Sequence, residues 1–232
     1  MIGQKIKFVS TGGIFDYEIG NSSMLINTGI GNILIDCGYT VYKTLCKKEL
    51  VDKIDYILIT HLHGDHIGSI HPLILHLVNK CKKNVKIIYP TESFLNQLKN
   101  YFHFFLIDVE RYIEFIDIKK WDNIGFVNTS DFHVKGMESY AYYFKTGDWL
   151  IYYSGDLGNL EITESFLNSM SYKNVLVFHE VSFINGSAHV YYRELMRLAE
   201  KYNVFAYHCN HLLAPEDCNL QFVADYKIYC AN

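Results

Sequence analysis

Residues 54–66 read Ile-Asp-Tyr-Ile-Leu-Ile-Thr-His-Leu-His-Gly-Asp-His. The run from Ile54 to Thr60 is apolar apart from Asp55 and predicts a buried strand. Gly64, and Ile67-Gly68-Ser69 just beyond, predict that the strand stops and a turn leads into a helix. Four metal-capable side chains, His61, His63, Asp65 and His66, then share one tight loop at a strand end. His61 and His63, two apart, can turn to the same side of an extended chain. Asp65 and His66 are neighbours and are expected to diverge, so they suit a second ion. Three histidines and an aspartate within six residues are a poor fit to an ordinary polar loop.

The pattern His-x-His-x-Asp-His after an apolar strand resembles the metal motif of the metallo-β-lactamase-fold hydrolases. Matching motifs recur in the family's order from Asp36 to His208, so the resemblance covers nearly the whole chain. It implies an α/β protein, an αββα sandwich of two mixed sheets packed face to face with helices outside, forming one domain over 1–232. It also implies two zinc ions, or manganese, each with an open position for water. Such a pair needs about seven protein ligands, and residues 61 to 66 supply four of them: His61, His63, Asp65 and His66.

Three further ligands follow downstream. His133, in Asp131-Phe132-His133-Val134-Lys135-Gly136, precedes a tyrosine-rich strand and is similar to the family's third motif. Asp156 ends Tyr152-Tyr153-Ser154-Gly155-Asp156 and is similar to the fourth; a carboxylate can bridge two cations with its two oxygens. The last ligand is His208 or His211, both just after the strand Val204 to Tyr207; His208 comes straight off the strand and is the one favoured. Asp36, before Cys37-Gly38, resembles the first motif, whose aspartate binds no metal but orients the loop by hydrogen bonds. His71, His76 and His103 have no motif context and read as structural or surface groups.

His179-Glu180-Val181-Ser182-Phe183, followed by Ala188-His189, resembles a segment of the ribonuclease Z branch. There the second histidine gives a proton to the leaving oxygen, and an alkoxide leaving at neutral pH needs such a donor. His189 matches that position, with Glu180 behind it; Asp65 would orient or deprotonate the attacking water. Val190-Tyr191 replaces the branch's usual Ser-Thr. The tRNA-processing members carry a long basic arm between the third and fourth motifs. Here the interval from His133 to Asp156 holds only two predicted strands and a turn at Thr146-Gly147-Asp148. Armless relatives include 3′,5′-cyclic nucleotide phosphodiesterases, among them phage-type enzymes that destroy cyclic pyrimidine signals. A phosphodiesterase for small substrates of that kind is the expectation. The rival readings are a tRNA 3′-processing endonuclease, a thioester or lactone hydrolase that would not need His189, and a non-catalytic metal-binding protein. Ribonuclease-Z-like proteins are commonly dimeric, which implies a homodimer.

Composition narrows the partners. The 232 residues carry a net charge of −4, which argues against long nucleic acid as a ligand. The six cysteines form no CxxC pair, which argues against a thiolate zinc site and for a reducing compartment. No apolar run approaches the ~18 residues of a membrane span. The expectation is a soluble, cytoplasmic protein without membrane contact. Strands are predicted at 5–10, Ser23–Asn27, Ile33–Ile35, Val85–Tyr89, Tyr112–Ile118, Gly125–Asn128, Ala141–Lys145, Trp149–Tyr153, Val175–Phe178 and Val204–Tyr207. Helices are predicted at 41–50, around Ile70–Val78, after Thr91, at Glu161–Met170 and at Val190–Tyr202. No internal repeat is visible.

Overall fold

A computed structural model describes residues 6–105 and 109–225. Strands β1 (Ile6–Ser10), β2 (Ser23–Asn27), β3 (Asn32–Ile35), β4 (Tyr56–Leu58), β5 (Val85–Tyr89) and β6 (Ile113–Asp117) form one sheet in that order. Strands β7 (Ile124–Asn128), β8 (Tyr140–Thr146), β9 (Trp149–Tyr153), β10 (Asn174–Glu180), β11 (Asn203–Tyr207) and β12 (Gln221–Phe222) form the other, again in chain order. Each sheet opens with two antiparallel pairings and continues with three parallel ones. The two halves thus share a pairing plan that the sequence conceals, because matched strands bury different residues.

The inner faces of the sheets meet through aromatic rings. Phe8 of β1 lies 5.1 Å from Phe178, 5.9 Å from Tyr207 and 6.4 Å from Tyr153, centroid to centroid, so one residue of the first sheet touches three strands of the second. Tyr142 donates its hydroxyl to the Ile59 carbonyl at 2.8 Å across the same interface. Helices α1 (Val41–Lys47), α2 (Gly64–Ile67), α3 (Ile70–Asn79), α4 (Glu92–Phe104) and α5 (Val109–Tyr112) belong to the first half. Leu73, Ile74 and Leu77, at helical spacing on α3, are buried in the core of this sheet. Thr91 caps α4, accepting from Phe94 N at 3.1 Å. Helices α6 (Leu160–Ser169) and α7 (Tyr192–Ala199) cover the second sheet, their Leu160, Leu167, Leu195 and Leu198 packing with Leu150, Val177 and Val204. Each such buried leucine contributes about 1.5–3 kcal/mol. The layers are α, β, β, α, and no helix of the described residues is long and apolar enough to cross a membrane.

Most predicted elements lie where the sequence puts them, with ends displaced by at most three residues. The 54–60 run is strand only from Tyr56 to Leu58, because the Thr60 amide turns away from the sheet to the Asp36 carboxylate at 2.8 Å. The helix predicted over 41–50 ends at Lys47 as α1, and a separate 3₁₀ turn follows at Val51–Lys53. The helix predicted over Val190–Tyr202 begins only at Tyr192, since the chain from Ser182 to Tyr191 is still tied by a bridge. Residues 5 and 106–108 lie outside the described residues. Between His133 and Asp156, β8 and β9 form a tight hairpin around Gly147, whose φ is +57°. No arm leaves it.

Parallel pairing sends β3, β4 and β5 in one direction, and likewise β9, β10 and β11. Their carboxyl ends carry Asp36, the 61–66 loop, Asp156, Glu180 and His208. Ligand sites favour that end of such sheets.

Candidate metal and catalytic site

The loop after β4 is held from below. Asp36 has a φ of +62°, an uncommon conformation for a residue with a side chain, and it aims its buried carboxylate back at the loop. Asp36 Oδ2 is 2.8 Å from His66 Nδ1. Thr60 Oγ1 lies 2.9 Å from Asp36 Oδ2 and 3.0 Å from His61 Nδ1. A hydroxyl has one hydrogen. Since Asp36 accepts only, Thr60 donates to it and accepts from His61. Both imidazoles thereby present Nδ1 to this support and turn Nε2 the opposite way. Nothing at the sequence level singled out Thr60; its position directly before the first histidine, beside an oriented aspartate, is the only local signal.

Among the described residues two groups of donors converge, each with its ligand atoms within 4.8 Å of one another. The first is His61, His63 and His133. His63 Nδ1 is 3.0 Å from His61 Nε2 and 3.2 Å from His133 Nε2. His133 reaches in from the loop before β8, which is closed at its root by Thr129 N donating to the Ser139 carbonyl at 2.9 Å. The second group is Asp65, His66, Asp156 and His208. His66 Nε2 is 3.2 Å from Asp156 Oδ1 and 3.4 Å from Asp65 Oδ2. His208 Nε2 is 3.4 Å from Asp156 Oδ2 and 3.7 Å from Asp65 Oδ2. Asp156 also faces the first group, with Oδ2 3.9 Å from His61 Nε2.

Asp65 and His66 were expected to diverge, and they do not. The turn of α2 carries both side chains into the same group, although this group is indeed separate from His61 and His63. His208 joins it by leaving β11 with a φ of +62° and donating its amide to the Thr11 carbonyl at 2.8 Å. His211 sits on a 3₁₀ turn 3.9 Å from Asp225, outside both groups. Asp156 depends on Gly155, whose φ is +60° and whose missing Cβ would lie 3.0 Å from the Tyr140 carbonyl. Of the histidines without motif context, His76 bonds the Tyr42 hydroxyl at 3.0 Å and His71 lies against Phe105, as structural groups. His103, in the last turn of α4, is exposed.

The chemistry of these groups fits divalent cations. His66 Nε2 and Asp156 Oδ1 are buried without a hydrogen bond, a costly state for a polar atom unless a cation takes the lone pairs. Burial pushes His133 and His208 down to about 4, so both present neutral nitrogens. His66 moves the other way: burial opposes its charge, but Asp156 and Asp36 outweigh that and hold a proton where a cation is wanted. All donors are imidazole or carboxylate, a set suited to zinc or manganese.

A third cluster stands beside the two groups. Glu180, fully buried at the end of β10, accepts from the Val190 amide at 2.9 Å through Oε1. Its Oε2 lies 3.0 Å from His189 Nδ1. Burial pushes the Glu180 carboxyl up to about 7. For His189 burial opposes the charge, but the Glu180 carboxylate prevails and raises the ring to about 9. With Nδ1 at ion-pair distance from Glu180, the His189 ring lines the cavity beside it. That cavity, about 510 Å³, is lined by His63, Asp65, His133, Asp156, His189 and His208 among others. A larger hollow of about 660 Å³ around Lys82, Lys83 and Lys86 contains none of these groups.

Residues 4–229 match the model of a protein family described as "Anti-Pycsar protein Apyc1". A protein of that description from Bacillus phage BSP38 is 30% identical over 216 residues, 83% of this chain and 82% of its own. Among solved structures, the metallo-β-lactamase-fold protein YhfI from Bacillus subtilis superposes with a TM-score of 0.69 at 20% identity, over 89% of this chain and 87% of its own. The short form of human tRNase Z gives 0.63 at 15% identity, over 88% of this chain and 92% of its own. At such identities the structures speak for the fold. With the clustered histidines and aspartates at the strand ends, the chain is a metal-dependent hydrolase of the metallo-β-lactamase fold.

Proposed function

The chain belongs to the Apyc1 family of anti-Pycsar proteins, and from that premise we propose that it hydrolyses small phosphodiesters, 3′,5′-cyclic nucleotides first among them, cyclic pyrimidine nucleotides included. The observation that carries this reading is His189, held by a buried glutamate at the rim of the cavity that both donor groups line. A thioester hydrolase has little use for such a group, because a thiolate leaves with little need of protonation.

In this reading His61, His63 and His133 hold one zinc or manganese ion, and Asp65, His66 and His208 the other, with Asp156 facing both. Bound ions would supply Lewis acidity, neutralising the phosphate oxygens and acidifying a water. The chain's own residues do the rest. Asp36 and Thr60 fix the rings of His66 and His61. Asp65 orients the attacking water or takes its proton. The water oxygen attacks phosphorus, the bond from phosphorus to a ribose oxygen breaks, and His189 Nε2 gives its proton to that oxygen. Glu180 keeps the ring charged and aimed. The product is a linear nucleoside monophosphate. We further propose a cytoplasmic homodimer.

The test is a screen of the purified protein, loaded with zinc or manganese, against cyclic mononucleotides, bis(p-nitrophenyl) phosphate, a thioester and a precursor tRNA. Opening of cyclic nucleotides is expected. Thioester cleavage without phosphodiester cleavage would sink the proposal, and efficient removal of a tRNA trailer would favour the endonuclease. No hydrolysis of any of them would leave a metal-binding protein without catalysis.

A further inference from the structure

Part of the lining of the cavity over the donors is apolar. Ile14, Phe132 and Val134 line it together with the histidines and aspartates. These three side chains are 40%, 37% and 51% exposed, and none of them holds a donor in place. They come from two loops, one in each half of the molecule.

Both loops are pinned. In the loop between β1 and β2, Gly12 N donates to the Gly20 carbonyl at 2.8 Å and Gly13 N to Asp16 Oδ2 at 2.9 Å. Asn21 Nδ2 reaches the Gly13 carbonyl at 3.1 Å. The root of the loop is tied to the other half through His208 N and the Thr11 carbonyl. Ile14 sits at the bend of this braced turn, with Phe15 beyond it, 81% exposed. Phe132 closes a 3₁₀ turn directly before His133, its amide donating to the Thr129 carbonyl at 2.9 Å. A braced loop that presents apolar side chains to water beside a polar site is built to meet something apolar.

We propose that Phe132 stacks on the nucleobase of the substrate, with Ile14 bounding the same pocket, which makes Phe132 a binding residue for the base. This rests on the reading above that a cyclic nucleotide places its phosphate on the donors. Such a substrate has one charged end and one flat apolar end, joined through a rigid bicyclic sugar phosphate. With the phosphate on the donors and the leaving oxygen near His189, the base is the part left for the apolar lining. Phe132 adjoins His133 in the chain, so the wall for the base and a member of the first donor group share one loop.

The experiment compares wild type, Phe132→Ala and Phe132→Tyr on cyclic CMP, cyclic AMP and the base-free 3′,5′-cyclic phosphate of 1-deoxyribose. Binding is followed in parallel by calorimetry on a slowly cleaved cyclic phosphorothioate. For Phe132→Ala, KM for both nucleotides and Kd for the phosphorothioate should rise about tenfold, as when a stacking contact is lost. Phe132→Tyr should restore them, and kcat/KM for the base-free compound should change less than twofold. An unchanged KM for the nucleotides, or an equal loss on the base-free compound, overturns the proposal while the phosphodiesterase reading stands. A wild type that opens none of the three compounds removes that reading itself. Metal content, measured on each variant, should stay at the wild-type level; a fall would show that Phe132 acts on His133 instead of the base.

Discussion

At the scale of single residues, the proposed mechanism separates groups that would meet the substrate from groups that aim them. In it His189 belongs to the first kind. A positioned acid contributes about 10²–10⁴-fold in rate. We therefore expect His189→Ala to slow cyclic nucleotide opening by that factor, to leave metal content unchanged, and to cost much less on a substrate losing p-nitrophenolate. Equal turnover of mutant and parent on the cyclic nucleotide would rule His189 out as the acid. Glu180 raises the His189 ring, so the protonated acid is present below that raised value and is lost as pH climbs through it. Glu180→Gln removes the cause. The alkaline limb of kcat should then move to lower pH, and a limb that stays in place would break the link between the two residues. Thr60 is of the second kind. Thr60→Val breaks the relay from His61 to Asp36 and should weaken metal binding about 10–100-fold, with Thr60→Ser restoring it. Titration with a chelator of known affinity measures both.

At the scale of elements, the site is a seam between loops that belong to different strands. The short helix α2 carries Asp65 and His66, and its backbone is pressed against Gly38: a Cβ there would lie 1.8 Å from the Asp65 carbonyl oxygen. Backbone cannot swing aside as a side chain can. Gly38→Ala should push α2 outward, costing about 1–3 kcal/mol of stability and reducing occupancy of the group built on Asp65 and His66 more than that of His61, His63 and His133. Thermal melting together with metal analysis checks both halves; a variant with parental melting temperature and full metal content would contradict the packing account. The helices after the loops are shorter than their apolar periodicity suggests. Val190 and Tyr191 look helical in sequence, yet Glu180 captures the Val190 amide and Ser182 pairs with Tyr191. That capture is what keeps His189 on a loop facing the cavity.

At the scale of the whole molecule, two sheets with one pairing plan bring their strand ends together, and the donors lie where they meet. Ions bound there would tie the halves to each other. Binding to the folded state alone stabilises by about 2.7 kcal/mol at a hundredfold excess over Kd. Removal of metal with a chelator should thus lower the melting temperature, and zinc or manganese should restore it; an identical melt with and without metal would argue that the groups are empty in solution. Asp156→Ala should lose both ions at once, since that carboxylate faces both groups.

The sequence by itself determined the donor types, their order, and the class of fold they imply. Those signals are local: an apolar strand, a dense histidine loop, a serine and glycine before an aspartate. Strands and amphipathic helices were legible for the same reason, since their periods repeat within a few residues. Only the tertiary structure decided which donors meet. His133 is far from His63 in the chain and 3.2 Å from it in space. The choice of His208 over His211 turns on one positive φ and one bond to Thr11, neither of which leaves a composition signal. The same holds for Thr60, whose role exists only because Asp36 arrives from another strand, and for the shared plan of the two sheets. Local patterns record what a residue prefers. Convergence depends on chain segments that the sequence holds far apart and that burial of the two sheet faces brings together.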